Sequence, residues 1–261
     1  MKDQISTFTH YSDNAVQLDS SQIKNIFSIS KTNLAIIHGR PDSEKRLLSK
    51  YPKQVKTIQD IPEYYEYYKQ KLREPDSGLF AFFRKWQTKR QLRKFRKNKH
   101  DPLHAGADGE LQVLSQLSTL DDSYHVLCGI RIQLNYPVRF NGQKNLRSAQ
   151  MDFVVVSKKG IFVIEVKNWS NQYLQNYNGF SPYEQTERAG RVLWVALKYV
   201  AVDVKITNVL LSIQGNLQYD QNHRRVLVTS LSQINTFLES NSDILSEKQV
   251  KRIVRKLQHY A

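Results

Sequence analysis

The sequence predicts an α/β protein, with helices packed on both faces of one central mixed sheet. Three observations carry that expectation. Apolar runs of strand length fall at 124–134, 151–156, 161–166, 209–211 and 226–228. Segments of helical period precede, interrupt and follow them, at 108–117, from 182 onward, at 231–238 and at 246–260. The two middle runs are apolar at nearly every position, as expected of strands covered on both faces. A chain of 261 residues, 40% of them hydrophobic, has room for one sizeable core and an appended segment.

Residues 1–78 form an N-terminal region whose role the sequence does not assign. Ser20-Ser21-Gln22-Ile23 starts a candidate helix through Phe27, and Leu34-Ala35-Ile36-Ile37 reads as a short strand ended by Gly39. Residues 43–48 and 61–72 read as helices, the second with Pro62 in its first turn. Tyr64, Tyr65, Tyr67 and Tyr68 crowd that helix. Packing of a small helical subdomain is favoured for them over stacking on bases.

Residues 79–104 are a basic, aromatic helix and linker. Phe80, Phe82, Phe83 and Trp86 lead into Arg84, Lys85, Lys89, Arg90, Arg93, Lys94, Arg96, Lys97 and Lys99, with no acid from Leu79 to Lys99. Such a helix fits tracking of phosphates, adsorption to an anionic membrane, or docking with a solvated basic face. Nucleic acid is favoured, with the basic residues from Arg84 to Lys97 as its contacts. The formal charge of +15 and the sequence pI of about 9.7 point the same way, toward a polyanionic partner. Pro102 and Gly106 mark a boundary before residues 105–261.

In that last part, Asp108 caps a helix with Leu111, Leu114 and Leu117 on one stripe, and Glu110 falls in its first turn. Asn141-Gly142 is a turn signal. Ser181-Pro182 opens a helix carrying Gln185, Arg188 and Leu193. The closing helix at 246–260 is again basic, with Lys248, Lys251, Arg252, Arg255 and Lys256.

The chemistry concentrates in the two middle strands. Asp152, Glu165 and Lys167 interrupt apolar runs, and a charge in a buried strand is costly unless paired or bound to a metal. Side chains alternate along a strand, so Glu165 and Lys167 share a face with Val166 between them. A hairpin brings Asp152 near both. Two carboxylates and an ammonium then form a divalent-metal site with a cationic neighbour. The bland reading is a capping Asp beside an ion pair of little energy. The apolar neighbours Phe162, Val163, Ile164 and Val166 weigh against it.

The order Asp, turn, Glu-x-Lys resembles the PD-(D/E)xK nuclease superfamily, and the fuller set of motifs narrows the likeness. Gly106-Ala107-Asp108-Gly109-Glu110, then Met151-Asp152-Phe153-Val154-Val155-Val156, then Gly160-Ile161-Phe162-Val163-Ile164-Glu165-Val166-Lys167-Asn168, then Pro182 and Gln185, is similar to the nuclease-related domain (NERD). The likeness covers residues 105 to 200. Met151 stands where Ile is commoner, a volume-conserving change, and Asn171 stands near a usual Gly. The resemblance implies a restriction-endonuclease-like core and metal-dependent phosphodiester hydrolysis, in DNA rather than RNA. It implies Glu110, Asp152, Glu165, Lys167 and Gln185 as catalytic residues. Mg²⁺ or Mn²⁺ would be held by Glu110, Asp152, Glu165 and the Val166 carbonyl, since a hard cation takes oxygen ligands. Asn168 and Trp169 would line the groove. The alternatives are a non-catalytic nucleic-acid-binding protein that keeps the fold, and a membrane-surface protein.

Other chemistries are excluded or disfavoured. Cys128 is the lone cysteine, so no intramolecular disulfide or cysteine-pair zinc site can form. It sits in an apolar run, as an inert buried thiol does. His100 and His104 are spaced i, i+4, but with Pro102 between them and no glutamate. No Walker-type loop is present. The first residues lack the apolar core of a secretory signal. The apolar stretch 192–204 is broken by Lys198 and Asp203 and is shorter than the roughly 20 residues of a membrane span. The expectation is a soluble, cytoplasmic protein that binds nucleic acid and not a membrane, with homo-oligomerisation left open.

Overall fold

A computed structural model describes residues 34–77, 80–200 and 205–261. The helix expected from Ser20 to Phe27 lies outside them. In chain order the elements are β1 (Ile36–His38), α1 (Asp42–Leu48), α2 (Asp60–Arg73), α3 (Ala81–Asn98), α4 (Leu103–Ser118), β2 (His125–Phe140), β3 (Gln143–Ser157) and β4 (Gly160–Lys167). There follow α5 (Asn171–Asn176), α6 (Pro182–Leu197), β5 (Ile206–Ser212), β6 (Val226–Ser230), α7 (Ile234–Ser240) and α8 (Glu247–Leu257).

The strands form one mixed sheet in sequence order. β1 runs parallel to β2, β2–β3–β4 is an antiparallel meander, and β5 and β6 add parallel strands beyond β4. This sheet, flanked by helices, is a restriction-endonuclease-like α/β core. Side-chain alternation divides the apolar runs between two layers. Val154, Val156, Ile161 and Val163 face α6 and α8, packing on Val192, Leu193, Ile253 and Leu257. Phe153, Val155, Phe162 and Ile164 face α4 and α7, packing on Val113, Leu117, Ile234 and Leu238.

Local chemistry explains the boundaries. Asn141 and Gly142 have φ of 46° and 80°, the paired positive values that a two-residue hairpin turn requires. Ser181 caps α6 by accepting the Glu184 N–H, with Pro182 in the first turn. Ser246 and Gln249 close a capping box on α8. The β2–β3 arm is longer than the apolar pattern predicts: in its distal half Leu134, Val138 and Leu146 still join the core, but polar residues separate them.

The first described segments make a smaller cluster. Leu47, Tyr51, Val55, Tyr68, Leu92, Phe95 and Ala107 are buried together, with Tyr64 and Tyr65 against them. The tyrosines of α2 are therefore mainly packing groups, and Tyr67 is the one left 48% exposed. α3 buries Thr88, Leu92, Phe95 and Asn98. At its start Phe82, Phe83 and Trp86 stay exposed, as does Phe80 just before it. Among the described residues no helix is long and apolar enough to cross a membrane.

Candidate active site

The antiparallel ladder between β3 and β4 is registered from Ser157↔Gly160 to Phe153↔Ile164. One residue further on, the Asp152 carboxylate takes over from the backbone and accepts the Val166 N–H at 2.8 Å. A side-chain acceptor satisfies that amide and opens a gap between the strands.

The gap coincides with a change of facing. Cys128 and Phe153 pack in one layer, while Ile130 and Met151, two residues away and paired to each other, pack in the other. Gly129 stands between them at φ 61°, where a Cβ would lie 3.1 Å from the Arg40 carbonyl. That close approach lays the start of α1 over the site.

α1 supplies what sequence reasoning missed. Ser43 donates its N–H to Glu110 Oε2 at 3.1 Å and its hydroxyl to Oε1 at 2.5 Å. Asp42 accepts from Gln150 at 2.7 Å. No motif or periodicity marks Ser43; the short polar start of the helix at 43–48 was the only signal available.

Glu110 comes from the first half of α4, where Gly109 lets the helix approach the sheet. A Cβ on Gly109 would stand 2.9 Å from Asn168 Cβ and 3.0 Å from Ile213 Cδ1. The space it leaves lets Asn168 donate to the Ala105 carbonyl at 2.8 Å, tying the end of β4 to α4.

Glu165 and Lys167 lie on one face of β4, as alternation requires. Lys167 Nζ donates to Glu165 Oε1 at 2.7 Å and to Gln185 Oε1 at 3.1 Å, and Gln185 Nε2 donates to Glu165 Oε1 at 2.5 Å. Gln185 thus sits in the site, fixing an acid and a base at once. Glu165 Oε2 is buried without a hydrogen-bond partner. Lys167 also lies 5.3 Å from the centre of the Trp169 ring. Trp169 packs with Tyr173 and Tyr177, which α5 and the residue after it present. α5 has six residues, too few for a periodic signal, and Ser170 caps it.

Glu110, Asp152, Glu165, Val166, Lys167 and Gln185 all line one cavity of about 660 Å³. Asn168 and Trp169 line it too. The predicted basic contacts lie elsewhere, on α3. Arg84 is bound to Asp76, and Lys89, Arg90, Arg93, Arg96 and Lys97 are exposed.

The electrostatics follow from burying three carboxylates beside one lysine. Burial, then the charge of Asp152, pushes the Glu110 carboxyl up to about 7. Burial and Asp152 push Glu165 up to about 8, outweighing the downward pull of Lys167. Burial likewise raises Asp152, against the pull of Lys167 and the Val166 N–H. For Lys167, burial opposes the charged form, yet the carboxylates of Glu165 and Asp152 hold its pKa above the usual lysine value. One lysine faces three carboxylates, so the set is short of positive charge.

Among the described residues no three His, Cys, Asp or Glu side chains form a group already arranged to hold a metal ion. Hydrogen-bond donors orient each carboxylate: Ser43 holds Glu110, Val166 holds one oxygen of Asp152, and Lys167 with Gln185 holds one oxygen of Glu165. The ligand chemistry nonetheless fits a hard cation, with oxygen donors only and one orphaned oxygen on Glu165.

No curated protein and no solved structure matches the chain. Residues 105–213, from the start of α4 to the end of β5, match the family of the nuclease-related domain. Over those residues the chain is similar to the nuclease-related domain, a family of the restriction-endonuclease-like superfamily.

Proposed function

We propose that the protein is a metal-dependent nuclease that hydrolyses phosphodiester bonds in DNA. The observation that carries this reading is the convergence of three carboxylates, a charged lysine and a glutamine on one cavity at the end of β4. Glu110, Asp152, Glu165 and the Val166 carbonyl are the residues to hold Mg²⁺ or Mn²⁺. Once bound, the ion would supply Lewis-acid stabilisation of charge and activation of a water. Lys167 would donate to an oxygen of the scissile phosphate and stabilise the charge that develops there. Gln185 is a positioning residue that holds Lys167 and Glu165 in register. α3 would follow the phosphate backbone through Lys85, Lys89, Arg90, Arg93, Lys94, Arg96 and Lys97. Cys128 takes no part, since burial pushes its thiol up to about 12. A lone buried thiol fits a cytoplasmic setting.

The test is cleavage of DNA by the purified protein with Mg²⁺ or Mn²⁺, and its loss in EDTA. Asp152→Ala and Lys167→Ala should abolish turnover while leaving DNA binding largely intact. Variants that cut as well as wild type would show the assignment to be wrong.

A second reading, a nucleic-acid-binding protein that keeps the fold without turnover, is favoured by one observation. Donors within the protein already engage each carboxylate. It predicts steeply salt-dependent binding and no metal-dependent cleavage.

A further inference from the structure

A second concavity, of about 810 Å³, lies on the other flank of α6. Glu187, Gly190, Arg191 and Trp194 line it at i, i+3, i+4 and i+7, one stripe of the helix. Gln185, in the carboxylate pocket, falls roughly 180° around the helix from Trp194 at 3.6 residues per turn. The two concavities are therefore separate.

Four guanidinium groups line this one: Arg139 near the end of β2, Arg191 on α6, and Arg224 and Arg225 before β6. Among the described residues its one carboxylate is Glu187, already held by His223 at 3.0 Å. Arg139, Arg191 and Arg225 have no ion pair with a described residue, and Arg224 donates only to the Gln221 carbonyl. Arg191 lies 4.8 Å from the centre of the Trp194 ring, which is 40% exposed.

Like charges that line one concavity repel one another until an anion joins them. Planar guanidinium forks match phosphate oxygens two at a time. An exposed indole beside them offers a face on which a base can stack. We propose that this concavity binds a nucleotide, its phosphate held by Arg139, Arg191, Arg224 and Arg225 and its base on Trp194. The ligand is either a free mononucleotide or the 5′-phosphorylated end of a strand. The proposal requires no hydrolysis at the other pocket.

Calorimetric titration of the full chain in EDTA tests it, with dAMP, deoxyadenosine, and a short oligonucleotide with and without a 5′-phosphate. We expect saturable dAMP binding and at least tenfold weaker deoxyadenosine binding. Arg191→Glu with Arg225→Glu should weaken dAMP at least tenfold, and Trp194→Ala about tenfold. All three side chains are exposed, and Arg191→Gln with Arg225→Gln gives a milder check should the charge reversal lower the thermal midpoint. Competition by the phosphorylated oligonucleotide alone identifies a strand end, and by free nucleotides alone a mononucleotide; both support the site. Absence of saturable dAMP binding, or dAMP affinity unchanged in both arginine pairs, would overturn it.

Discussion

Replacing Glu110 by Gln should stabilise the metal-free protein at alkaline pH while removing a metal ligand. Glu110 is 4% exposed, and its carboxyl stands at about 7 against an ordinary 4.5. The folded state therefore holds a proton that the unfolded state gives up, and between those two values stability falls as pH rises. Above about pH 7 the ionised group costs the fold about 3 kcal/mol, at 1.36 kcal/mol per pH unit. Glutamine keeps the shape. Its amide oxygen can accept the Ser43 N–H, and its NH₂ can donate to the Ser43 hydroxyl, so the polar loss is about 1 kcal/mol. The net gain at pH 8 is about 2 kcal/mol, or about 4–8 °C in thermal midpoint for a domain of this size. At pH 5 most of the penalty is gone, and the two proteins should melt together. Thermal melts in EDTA at both pH values measure this. Added Mn²⁺ at pH 8 should raise the wild-type midpoint and not the variant's. A variant that melts at or below wild type at pH 8, or by the same difference at both pH values, would refute the argument that crowded carboxylates strain this fold.

Gln185→Ala removes the group that fixes both Lys167 and Glu165, and turnover should fall about 10–100-fold with DNA affinity unchanged. Steady-state kinetics beside a binding isotherm separates the two effects, and undiminished turnover would remove Gln185 from the site. Ser43→Ala frees Glu110 and should weaken Mn²⁺ binding about tenfold by calorimetry; unchanged affinity would mean that α1 only covers the pocket. Gly109→Ala drives a methyl toward Asn168 and Ile213 and should cost about 1–3 kcal/mol in denaturant unfolding. Wild-type stability would show that α4 can move away freely. Replacing Arg93, Arg96 and Lys97 together by Gln should lower the slope of log affinity against log salt by about 2–3. An unchanged slope would take α3 off the phosphate path.

How much of this was legible in the sequence depended on the distance over which each relation acts. Glu165, Val166 and Lys167 are neighbours on one strand, so alternation alone gives their facing. Asp152 reaches them through a two-residue turn at Lys158-Lys159, a local pairing that the paired apolar runs reveal. Glu110 and Gln185 needed the motif resemblance, because nothing in a helix's own period says which strand end it will meet. Ser43 was out of reach: it lies 67 residues from Glu110, and a hydroxyl on a short surface helix has no pattern to distinguish it.

The facing of Asp152 was hidden for a different reason. Strict alternation along β3 would put it with Val154 and Val156, against the apolar layer of α6 and α8. Instead the layer assignment slips between Phe153 and Met151, opposite Gly129, so that its carboxylate turns along the sheet to the Val166 N–H. One glycine at positive φ on the paired strand lets β2 and α1 come together there. The slip explains how an acid can interrupt a buried strand at tolerable cost. It lies where the ladder has already opened, with a backbone donor in place of a strand partner and a cavity in place of the core.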